Sequence, residues 1–136
     1  MARFLGKTWK KGEFRKYYSD PLPVAGARRF VLDEGKGRGV VGVDVRSGDG
    51  LTYQVLPGRG MDIAELHFRG VPLHFSSATG ITSAAYYEEP GLRWLRSFFG
   101  GLLTTCGITY SGAPSNDQGR ELGLHGRISN SEAENV

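Results

Sequence analysis

An all-β domain, built as an antiparallel meander with one short helix, is the fold class this sequence predicts. Three observations carry that expectation. Val41, Val43 and Val45 alternate with Gly42, Asp44 and Arg46, the period-two pattern of a half-buried strand. Turn signals separate short apolar runs and leave no room for the crossover helices that parallel strands need. Glycine makes up 21 of the 136 residues and is spread along the chain without a Gly-X-Y period. It therefore marks many tight turns and excludes collagen.

The first element is a basic segment, residues 1–24. Residues 1–38 carry ten Lys/Arg against four acids (+6), and residues 39–136 carry seven Arg against ten acids (−3). Lys7, Lys10, Lys11, Arg15 and Lys16 interleave with Trp9, Phe14, Tyr17 and Tyr18, but not at the spacing of a nucleic-acid motif. A solvated segment that aids solubility is expected, with neither nucleic acid nor membrane as partner; a basic arm that touches nucleic acid or anionic lipid is the competing reading. The basic start runs into Thr8-Trp9-Lys10-Lys11 rather than an apolar stretch, so no secretory signal is expected and the cytoplasm is the default location. No apolar run approaches the ~18–20 residues that span a bilayer.

Asp20-Pro21-Leu22-Pro23 ends this segment, because each proline biases its predecessor away from helix. Residues 25–136 form the main body. Arg29–Leu32 reads as a short strand, and 39–56 as a hairpin turning through Ser47-Gly48-Asp49-Gly50. After Pro57-Gly58-Arg59-Gly60, a third strand is expected over Met61–Phe68 and a fourth over Val71–Phe75, joined by Arg69-Gly70. Leu92, Leu95, Phe98 and Phe99 have helical spacing after Pro90-Gly91, and Gly100-Gly101 would stop that helix. A further strand is expected over Leu102–Ile108, and a long surface loop over Ser111–Gly123.

Few residue patterns carry chemistry. Arg59-Gly60-Met61-Asp62 places a guanidinium and a carboxylate beside glycines that let a ligand approach; a structural Arg–Asp pair bracing the strand entry is the competing reading. If residues 124–128 are a strand, His125 and Arg127 share one face and could contact hydroxyls or move a proton. His67 and His74 lie in alternating strand segments and read as ordinary surface or core-edge residues. No pair of histidines has the spacing of a zinc helix, and a single cysteine, Cys106, builds neither a disulfide nor a cysteine-rich metal site. Cys106 is expected to be a small buried residue. Gly35-Lys36-Gly37-Arg38-Gly39 opens no helix and is a weak phosphate site. Neither a phosphate loop nor a Gly-x-Ser-x-Gly elbow occurs, and no cofactor or metal is expected.

Three motifs follow one another in a fixed order: Gly58-Arg59-Gly60-Met61-Asp62-Ile63, then Trp94-Leu95 through Gly100-Gly101-Leu102-Leu103-Thr104-Thr105-Cys106-Gly107, then Gly123-Leu124-His125-Gly126-Arg127-Ile128-Ser129. Together they resemble the N-terminal part of the galactose-mutarotase-like (aldose 1-epimerase-like) superfamily, in a branch distinct from galactose mutarotase itself. The resemblance implies an antiparallel β-sandwich, a supersandwich of which these residues form an incomplete part. It also implies a small-molecule sugar as partner and interconversion of sugar anomers by the complete protein. His125 matches the family's Leu-His-Gly histidine, which contacts the sugar near the ring oxygen and anomeric hydroxyl, and it is the catalytic candidate. Mutarotases of the family carry an Arg and an Asn ahead of that stretch, where this chain has neither. Arg59, Asp62 and Arg127 are therefore expected to bind hydroxyls beside His125, so that Arg59→Ala would weaken sugar affinity and spare the fold. The family's acid His and base Glu come from later strands, so activity is expected only in a longer protein. A noncatalytic carbohydrate-binding module is the alternative. A cut sandwich would leave an open sheet edge, which implies a homo-oligomer.

Overall fold

The computed structural model describes residues 2–136. β1 (Ala2–Phe4) and β2 (Lys7–Trp9) pair through a two-residue turn, Leu5-Gly6, in which both residues have positive φ. The same turn recurs at Arg69-Gly70 and at Gln118-Gly119. Two successive left-handed residues match the right-handed twist of the flanking strands, and a glycine in second place halves the steric cost. These turns account for three of the dispersed glycines. The one α-helix among the described residues, α1 (Lys11–Phe14), follows β2. Its Phe14 is buried, stacks on Tyr18 at 4.6 Å and meets Phe4 and Trp9 edge-on, while Lys7 Nζ lies 4.3 Å over the Trp9 ring. The basic segment is thus a small folded unit with an aromatic centre. Met1, with which it begins, lies outside the described residues.

The main sheet has five antiparallel strands in chain order: β3 (Gly26–Val31), β4 (Val41–Arg46), β5 (Leu51–Leu56), β6 (Asp62–Phe68) and β7 (Val71–Pro72). The predicted meander is present. Ser47 closes the β4–β5 turn: its backbone N–H donates to Leu51 O at 3.0 Å, and its hydroxyl donates to Asp49 Oδ1 at 2.6 Å. A bulge at Gln54/Val55 shifts the β5–β6 register. The core beneath one end of the sheet is Val40, Leu56, Ala64 and Phe99, with Phe30, Leu32 and Ile81 packed around it. On the outer edge, β3 exposes Arg28 and Arg29, and charge on an edge strand opposes edge-to-edge pairing.

The second half departs from expectation. The fourth strand is two short pieces, because β8 (Phe75–Ser76) leaves the sheet to pair with β9 (Gly100–Gly101). Residues 93–97 form a 3-10 turn instead of an α-helix. Leu92, Leu95 and Phe98 are three apart, which suits three residues per turn. However, the face turned inward is Trp94 and Ser97, while Leu92 and Leu95 are exposed. Leu102–Ile108 contributes only the Ile63–Leu103 bridge, and the expected loop 111–123 contains a hairpin, β10 (Ser115–Asp117) with β11 (Arg120–Leu122).

Gly42 sits opposite Phe30 across β3 and β4, and a Cβ there would lie 2.1 Å from the Phe30 ring. The ring covers the bare backbone and reaches the core. Gly42→Ala is expected to lose about 1–3 kcal/mol in urea denaturation by overpacking. In the Phe30→Ala background the same change should cost much less, because the obstructing ring is gone.

Candidate functional site

Arg59 closes the 3-10 turn Pro57–Arg59, and Asp62 opens β6 after the left-handed pair Gly60 and Met61. This tight reversal points both side chains into the protein, where they are 1% and 0% exposed. A guanidinium has five N–H donors, and all five are used internally. Nε donates to Ser129 O at 2.7 Å. Nη1 donates to Thr82 O and to Ser97 O, and Nη2 to Ser97 O and Ser129 Oγ. The guanidinium also lies 5.1 Å from the centre of the Phe99 ring.

Asp62 is not paired directly with Arg59. Ser129 Oγ stands between them, accepting from Arg59 and donating to Asp62 Oδ2 at 2.6 Å. Thr105 gives Oδ1 both its backbone N–H, at 2.7 Å, and its hydroxyl, at 2.6 Å. Burial pushes the Asp62 carboxyl above its ordinary range, against the pull of Ser129, Thr105 and the Arg59 charge. Burial likewise lowers Arg59, with Asp62 opposing.

The expectation that Arg59 and Asp62 bind sugar hydroxyls is therefore corrected. They have no atoms to spare for a ligand, and they bolt four distant segments to the start of β6. Removing one member of a buried charged network typically costs about 3–5 kcal/mol. Arg59→Ala is accordingly expected to lose that much in chemical denaturation, where the sequence alone suggested an intact fold.

His125 is presented differently. Residues 124–127 are not a strand: His125 has φ +57° and Gly126 φ +75°. Its ring packs edge-on to Trp94 at 5.1 Å, and Trp94 stacks on Phe98 at 5.1 Å. Together with Leu95, Thr104 and Cys106 these residues line a cleft of about 290 Å3. Two buried ring nitrogens, Trp94 Nε1 and His125 Nδ1, have no hydrogen-bond partner among the described residues. Cys106, expected to be buried, is exposed at the cleft, because the segment that holds it forms no strand.

Arg127 does not join His125 in a shared patch. It pairs with Glu89, Nη2 to Oε2 at 2.6 Å, and Tyr110 donates its hydroxyl to Glu89 Oε1 at 2.8 Å. These two hydrogen bonds hold the Glu89 carboxyl below its ordinary range. No local motif marks Glu89, whose partners lie 21 and 38 residues further along the chain. His67, in β6, and His74 meet edge-on at 5.0 Å. Among the described residues, no three His, Cys, Asp or Glu side chains converge as a metal site, and no helix is long and apolar enough to cross a membrane.

The family model described as "Domain of unknown function (DUF4432)" matches residues 37–136. The chain belongs to the DUF4432 family. No curated protein matches the sequence. Among solved structures, 76% of this chain aligns with 28% of a candidate aldose 1-epimerase from Klebsiella pneumoniae, at 29% identity and a TM-score of 0.68. The chain thus spans little more than a quarter of that protein, and its fold is aldose-epimerase-like, as the three ordered motifs imply. The DUF4432 region contains Arg59, Asp62, Glu89, Trp94, His125 and Arg127, whereas the aromatic unit around Phe14 precedes it.

Tyr110 reports on this region of the DUF4432 fold. Burial and then the Glu89 carboxylate push its phenol from 10.0 up to about 12. The fold therefore favours the neutral phenol. That stabilisation is complete below the unfolded value and fades as pH rises through about 12. In an ultraviolet difference titration, Tyr110→Phe should delete a tyrosine that ionises near pH 12, and Glu89→Gln should bring that step to lower pH.

Proposed function

We propose that this DUF4432 chain is the carbohydrate-binding part of a protein of the aldose 1-epimerase type, with the His125 cleft as its sugar contact. The observation that carries the reading is the cleft itself, an aromatic wall with a histidine at its rim on an aldose-epimerase-like fold. Its volume of about 290 Å3 lies just below the range of ligand sites, about 300–1,000 Å3. Aromatic faces carry negative quadrupole charge that attracts the C–H edges of a pyranose, while Thr104 and His125 supply the polar groups that orient hydroxyls. In the complete protein, a carboxylate takes the anomeric hydroxyl proton and an acid protonates the ring oxygen. The ring opens, the carbonyl end rotates and reclosure gives the other anomer. Arg127, tied to Glu89, supports the turn that bears His125.

The alternative, a binding module without catalysis, shares this cleft and differs in outcome. Saturation-transfer NMR on freshly dissolved single anomers of common aldoses tests binding by the 136-residue chain, and polarimetry follows anomer exchange. The expected result is transfer to the sugar ring that His125→Ala abolishes, with accelerated exchange only in a protein of the neighbour's length. Binding without exchange in the longer protein would favour the module. Absence of transfer to every aldose tried would remove the sugar assignment.

A further inference from the structure

We propose that Glu89 is the positioning residue of this site: its carboxylate clips the loop 107–112 to the turn 123–127 and so fixes the His125 imidazole against Trp94. His125 is held by its own backbone from one side. Its N–H donates to Gly112 O at 3.0 Å, and its carbonyl accepts from Gly107 N–H at 2.9 Å. Both partners belong to the loop that carries Tyr110. Gly126 sinks into the same loop, where a Cβ would meet Tyr110 O at 2.8 Å and Gly107 O at 3.1 Å.

The other half of the grip comes from the Glu89 segment. Gly123 packs so closely that a Cβ would fall 1.8 Å from Glu89 O, and Leu124 N–H donates to Gly91 O at 3.1 Å. The Glu89 side chain then bonds Tyr110 with one oxygen and Arg127 with the other. One carboxylate thus joins the loop that holds the His125 backbone to the residue two positions beyond it. A histidine at φ +57° is strained and persists only where its surroundings over-determine it, and this double tie supplies that determination. Arg127 is largely exposed, and exposed ion pairs add little to global stability. Loss of the clip should therefore move the imidazole more than it moves the unfolding midpoint.

The Trp94 ring current makes the imidazole position visible. The His125 ring-proton resonances should be shifted in the unliganded chain by the edge-on contact at 5.1 Å. In Glu89→Gln those resonances should move towards the values of an exposed histidine, while those of His67 and His74 stay in place. Glu89→Asp should recover part of the shift. Unchanged His125 resonances in a folded Glu89→Gln protein would overturn the proposal. Should that variant not fold, Arg127→Gln and Tyr110→Phe each break one half of the clip, and unmoved resonances in both would overturn it equally. The proposal rests on the sugar-site reading only for its effect on affinity, expected to be a several-fold loss in Glu89→Gln. If the resonances move while even the unaltered chain binds no aldose, the positioning role stands and the sugar reading falls.

Discussion

A guanidinium withdrawn from water must find acceptors for all its protons, and in this chain Arg59 finds them on three segments far apart in sequence. Ser129, Ser97 and Thr82 supply those acceptors, and Asp62 extends the network through Ser129 to Thr105. The apolar core under one end of the sheet is small, and the irregular second half adds Phe99 and Ile81 to it. The polar network anchors the rest of that half. Ser97 is three residues after Trp94, Thr105 lies between Thr104 and Cys106, and Ser129 is four residues after His125. Every wall of the cleft is therefore anchored close to the same buried charge. The arrangement is demanding, because a half-satisfied network in low dielectric is worse than none.

The legible part of the fold was the part whose causes are local. Alternating valines and paired turn residues act within a few positions, so the meander from β3 to β7 could be read in order. Beyond Phe75 the chain is placed by contacts 20 to 70 residues away, and period-based reading fails there. Leu92 and Leu95 look like a buried face but are exposed, since Ser97 is drawn inward by Arg59 and takes Trp94 with it. The Arg59-Gly60-Met61-Asp62 motif stood out correctly as unusual. Spacing alone cannot say whether a polar pair waits for a ligand or is already satisfied by the protein, and here the protein satisfies it. His125 was marked by its motif, whereas Glu89 was invisible because both its partners lie on other segments.

The N-terminal unit follows a different logic from the body it precedes. Its rings gather on Phe14, and Lys7 lies over the Trp9 ring. Long cationic side chains can lay their methylene stems on apolar surface and keep their heads wet. Composition that looked like a basic arm is thereby reconciled with a folded hairpin and helix. This unit shares none of the Arg59 network, and the DUF4432 match begins after it.

The left-handed backbone at His125 also restricts what variation this position can explore. Among residues other than glycine, asparagine, aspartate and histidine enter that conformation most readily, and β-branched residues are genuine outliers there. Drift at position 125 is thus filtered by backbone geometry before side-chain chemistry is tested. The accessible replacements would exchange a titratable imidazole for an amide, a carboxylate or bare backbone. A polar group at this point of the cleft can thus be kept through asparagine or aspartate with no change elsewhere in the fold.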